Sequence, residues 1–202
     1  MQSLPTLALV IIVIAGMTIL ISRDWRIIAI ALGVQYLGVF ILVSLTWPIN
    51  LAVIKLITGW MATAAIAFTC LRHNRSATQP ESFASFLFRG LAGLLIVLLI
   101  FILSPSVQSQ IFPSVDLILI QGGLMMIGLS LMKLGLNSEP YPVIISLFSF
   151  LAGFEVIHAA LELSSLLTGL FVVVNLGLAL TGVYLIVSME DTKATSEEGD
   201  LR

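Results

Sequence analysis

Cysteine and charge are both scarce in this chain. The single Cys70 leaves no partner for an intrachain disulfide and no cysteine cluster for a metal. Only 10% of the 202 residues are charged, where soluble domains carry about a quarter, so a soluble globular fold is excluded. There is no basic patch for nucleic acid, and a net charge of −2 says little when most of the surface faces lipid. No nucleophile elbow, metalloprotease helix or glycine-rich phosphate loop is found. The opening MQSLPT lacks the positive residues of a secretory leader, so the first apolar run is expected to stay in the chain as a helix.

What is abundant is hydrocarbon: 59% of residues are hydrophobic and the mean hydropathy is +1.13. A membrane span needs roughly 20 mostly apolar residues, and lipid leaves no partner for free backbone groups, so each span must be a helix. Apolar runs between breakers predict an all-α integral membrane protein of about seven transmembrane helices, near 4-22, 27-47, 49-71, 86-104, 117-137, 141-163 and 166-188. The expected turns are SRDWR, TWP, RHNRSATQPES, SPSVQSQIFPSVD, NSEPYP and LSS. With seven spans, Arg23, Arg26, Arg72, Arg75, Arg89, Lys133, Lys193 and Arg202 all fall on one side. Positive charge marks the cytoplasmic side, so the N-terminus is expected outside and the C-terminus inside.

The two ends of the chain resemble each other. ALGVQYLGVFIL in the second span aligns with LAGFEVIHAALEL in the sixth, setting Gly33 and Gln35 against Gly153 and Glu155. Lys55 follows Gln35 by twenty positions and Asn175 follows Glu155 by twenty, each with a turn near the middle. In an antiparallel hairpin this spacing puts both members at one depth, about 12–15 Å below the turn. The expected architecture is two parallel three-helix repeats joined by a connector helix. The first repeat is 1-72, polar loops and the connector are 73-116, the second three-helix module is 117-188, and 189-202 is an acidic tail expected to be disordered. Each half is expected to hold its own polar pair, Gln35/Lys55 and Glu155/Asn175.

A charge at the membrane centre costs at least about 2.5–3.5 kcal/mol on insertion scales, and by default marks a functional site or a paired charge. Glu155 and Lys55 both qualify. Glu155, His158 and Glu162 fall at i, i+3 and i+7, along one helix face, a geometry that suits a proton relay, and histidine titrates near neutral pH. Blander readings stand beside this one. Glu155 bonded to Asn175 is also ordinary interhelical glue, His158 is equally a packing histidine, and Glu162 reads as a carboxylate at the helix end. Arg89 is expected to snorkel to the surface. Gln35, Gln121 and Asn175 either coordinate water or join helices. Glu155 and His158 also make the Glu-x-x-His pattern of di-iron bundles, but those sites need two such motifs and two further glutamates. The chain has two histidines, one of them His73 in a polar loop, so no metal site is expected.

At GFEVIHAALEL the sequence resembles the K-type subunit of NADH-quinone oxidoreductase, whose middle helix carries a membrane-embedded glutamate on a proton path. Glu155 takes that position. GGLMMIGLSLMKLGLN resembles the first helix of that subunit, and the likeness extends over about 117-188. The family often has a second glutamate in its third helix, where FVVVNLGLALTGVYL offers Asn175. Over its whole length the chain is more similar to component E of membrane-bound hydrogenase complexes, in which a lysine lies in the third helix, as Lys55 does in LAVIKLITGW. Sodium/proton antiporter C subunits share the same three-helix module.

The resemblance implies a multi-pass protein of a bacterial inner (plasma) membrane. It would be a proton-translocating subunit whose path uses Glu155, Lys55, His158, Gln35 and Asn175, alongside large antiporter-like membrane subunits. No quinone, flavin, iron–sulfur or nickel site is evident, so the chain is expected to hold no cofactor and to leave electron transfer to its partners. A structural membrane anchor and a small free-standing transporter are the alternative readings.

Overall fold

A computed structural model describes residues 3–72, 83–162 and 164–200. It consists of α1 (Ser3–Ile21), α2 (Trp25–Val43), α3 (Ile49–Arg72), α4 (Phe83–Gln110), α5 (Leu117–Leu136), α6 (Pro140–Leu161) and α7 (Ser165–Asp200), with no strand among the described residues. All seven are long and apolar enough to cross a membrane; α7 does so over Leu166–Met189. This is an all-helical, multi-pass membrane protein. The expected polar loop at 73–82, with His73 and Arg75, and Leu163 of the LSS turn lie outside the described residues.

The helices form two rows of three. In one row α1 packs on α2 and α2 on α3; in the other α5 packs on α6 and α6 on α7. Across the rows, α1 meets α5, α2 meets α6 and α3 meets α7. Because the chain reverses at every crossing, facing helices run in the same sense. The connector α4 packs on α5 and α1, closing that end of both rows and leaving the α3/α7 end open.

Glycine permits the closest approach. A Cβ on Gly153 of α6 would sit 2.7 Å from the carbonyl oxygen of Gly123 on α5, and one on Gly123 would meet the Gly153 carbonyl at 2.9 Å. Small residues that let backbones touch are the usual device for packing helices in lipid, where apolar side chains gain little by leaving the tails. Tyr141, at the start of α6, donates its hydroxyl to the Trp25 carbonyl at the start of α2 (2.7 Å), tying the two rows together at the basic end.

One sequence expectation about a helix end is corrected. The turn expected after residue 104 begins only after Gln110, with Pro105 inside α4. Proline removes the N–H that would reach the carbonyl four residues back, here that of Phe101. The Ser104 hydroxyl donates to that carbonyl instead, at 3.3 Å, and Gln121 of α5 donates to Ser104 at 3.1 Å. The helix therefore survives its proline. The backbone of α7 continues as helix to Asp200, and no proline or glycine interrupts 190–198.

Candidate functional site

The residues that the sequence marks as out of place in lipid converge where α2, α3, α6 and α7 meet. Lys55 Nζ of α3 donates to Glu155 Oε2 of α6 at 3.1 Å, and both side chains are almost wholly buried. Asn175 of α7 donates its amide to the other oxygen, Oε1, at 2.9 Å. One carboxylate thus gathers three helices from both rows. Among the described residues no group of three histidines, cysteines or acids comes together.

Of the two pairs expected within the halves, Glu155/Asn175 forms and Gln35/Lys55 is corrected. Lys55 crosses to Glu155, while Gln35 of α2 donates to the Ser149 hydroxyl of α6 at 2.8 Å. Ser149 precedes Glu155 by six residues, about 9 Å of helix, so the Gln35 contact sits deeper toward the basic end. Both residues of the first half point at α6 because the rows stack, and a lysine is long enough to reach past the facing helix α7. The aligned glycines also differ in role. Gly153 is packed against α5, whereas a Cβ on Gly33 would meet nothing within 4 Å, and its carbonyl accepts the Trp60 indole N–H at 3.1 Å.

Aromatic rings enclose the ion pair, and sequence inspection passed over them. The Lys55 ammonium lies 5.3 Å from the Trp47 ring centre and 5.1 Å from that of Phe171, within range of a cation–π attraction. Tyr36 lays its ring on Gly59, where a side chain would stand. An aromatic residue or a serine in an apolar helix reads as packing, which is why Tyr36, Trp47, Phe171 and Ser149 carried no signal. Around the pair, Gln35 Oε1, Tyr36 Oη, Asn175 Oδ1, Trp47 Nε1 and His158 Nδ1 are buried with no protein hydrogen-bond partner, an unusual concentration of unfilled capacity.

The other candidates take simpler places. His158 is half-buried and Glu162 exposed. Glu162 closes α6, its N–H donating to the His158 carbonyl at 3.1 Å. Gln121 joins α5 to α4 through Ser104. Arg89, expected to snorkel outward, is instead 4% exposed, because α4 turns that side toward the bundle. Lys133 is also buried. It donates to the carbonyls of Ile19 (2.6 Å), Ser22 (2.8 Å) and Leu20 (3.4 Å), so this cation caps the C-terminal end of α1. Its position one turn before the end of α5 was the available clue. Protein-family models, curated proteins and solved structures give no match to the chain.

Proposed function

We propose that the chain is an ion-translocating membrane subunit of a larger assembly, of the complex I, hydrogenase or multisubunit antiporter kind. In this reading Glu155 takes up and hands on protons, Lys55 is its counter-charge and second titrating group, and Gln35, Asn175 and His158 hold the connecting waters. The supporting observation is the buried Lys55–Glu155 pair itself. Helix association in lipid needs no charges, since small residues and neutral amides suffice, and buried ion pairs seldom stabilise more than apolar residues of similar volume. A lysine and a glutamate kept at this depth, amid polar atoms that lack protein partners, suit proton exchange better than packing.

The rival reading is an anchor subunit. It draws on the hydrogen bond from Asn175 to Glu155, which by itself is an interhelical lock. Mild-detergent purification of the native assembly tests the partner half of the proposal. Large antiporter-like membrane subunits should co-purify, and vesicles from cells lacking this chain should lose coupled proton uptake. Isolation of the chain without partners, or unchanged uptake in its absence, would contradict the reading.

A further inference from the structure

Glu155, His158 and Glu162 form a gradient along α6, from buried through half-buried to exposed, rising about 4.5 Å and 10.5 Å above Glu155. They lead toward the end of the bundle that holds the α2–α3 and α6–α7 turns. Beside the first two steps, in contact with both Lys55 and His158, stands a side chain that can neither give nor take a proton. The Phe171 ring is 5.1 Å from the Lys55 ammonium and meets the His158 ring edge-on at 5.4 Å. It also meets Phe154 edge-on, at 6.0 Å. The ion pair and the imidazole are thus neighbours of one phenyl ring, which is itself buried.

Resting on the relay reading above, we infer that Phe171 is the barrier between the Lys55–Glu155 pair and an outlet formed by His158 and Glu162. Proton transfer needs donor and acceptor within about 2.6–3.2 Å, directly or through one water. A phenyl ring packed against both groups supplies neither. His158 Nδ1, on a ring that Phe171 touches, and Trp47 Nε1, on a ring that flanks Lys55, are both buried without a protein partner and are open hydrogen-bonding positions. The ring is held by what it separates: the cation–π attraction exists only while Lys55 is charged. When Lys55 passes its proton to Glu155, the group it is bonded to, both become neutral, that hold is lost, the ring is free to turn aside, and water can carry the proton from Glu155 to His158. The barrier is therefore coupled to the charge state of the pair.

The test uses the full chain in membranes, with Cys70→Ser removing the one native thiol and Asn175→Cys reporting from beside Glu155. The rate of modification by a small charged methanethiosulfonate is compared with Phe171 intact, Phe171→Val and Phe171→Ala. The rate should rise in that order, reaching about tenfold in the alanine variant, while Phe154→Ala, which removes the same volume from the half-exposed neighbour, should leave it unchanged. An equal rate with Phe171 intact and in both variants, or an equal rise in Phe154→Ala, would overturn the barrier. Because labelling reads access and not translocation, this failure is distinct from failure of the relay, which would appear as normal proton flux in Glu155→Gln.

Discussion

Lys55 and Glu155 lie one hundred positions apart in the chain and meet at 3.1 Å in the middle of the bundle. The contact runs from the first row of helices to the second. Asn175 shares the carboxylate at 2.9 Å, so a buried, charged contact joins three helices.

Removing one member of a buried pair leaves the other uncompensated, at a cost of about 3–5 kcal/mol, whereas replacing both is often nearly neutral. Lys55→Met should therefore destabilise the protein more than the double variant Lys55→Met/Glu155→Gln. A double-mutant cycle on thermal unfolding in detergent measures this, and additive effects would mean that the pair is not coupled.

Gly153→Ala should separate α5 from α6, since the new methyl meets a backbone carbonyl and Met126 Cβ, neither of which can turn away. The expected loss is roughly 1–3 kcal/mol. Gly33→Ala, with open space at the same point of the aligned segment, should be neutral or slightly stabilising. Equal effects at the two sites in unfolding measurements would refute the packing difference.

Lys133→Met keeps the apolar stem but removes the donor to the end of α1. Hydrogen bonds from charged groups contribute about 1.5–3 kcal/mol each, so a loss of at least about 2 kcal/mol is expected, with faster amide exchange over 19–24. Unchanged exchange there would show that the cap is dispensable.

The one-sided distribution of arginine and lysine predicts an orientation, with the α2–α3 turn outside and the α5–α6 turn inside. In a Cys70→Ser background, Asn50→Cys at the start of α3 should react with an impermeant thiol reagent on intact cells. Ser138→Cys, at the basic end, should react only after permeabilisation. The opposite pattern would invert the topology.

The spans were legible because hydrocarbon thickness dictates apolar length, and the Glu155/Asn175 contact was legible because a hairpin fixes depth within one pair of helices. Lys55 could be recognised as too deep to reach the surface, but its partner depends on how the two rows stack, and no local spacing encodes that. The helix running through Pro105 depended on one hydroxyl at Ser104. Tyr36, Trp47 and Phe171 were hidden for another reason: in a chain this apolar, a ring beside a charge and a ring in the core are the same letter.

The most direct test of the central claim is proton flux into inverted membrane vesicles carrying the assembled complex with Glu155→Gln. The amide keeps the shape, its oxygen can accept from Lys55 and its NH2 can donate to a turned Asn175 amide oxygen, but it cannot carry a proton. Flux should fall about 100-fold or more, the scale of a lost acid–base group, with the complex intact on native gels. Flux at the wild-type rate in an intact complex would leave Glu155 as interhelical glue and contradict the account.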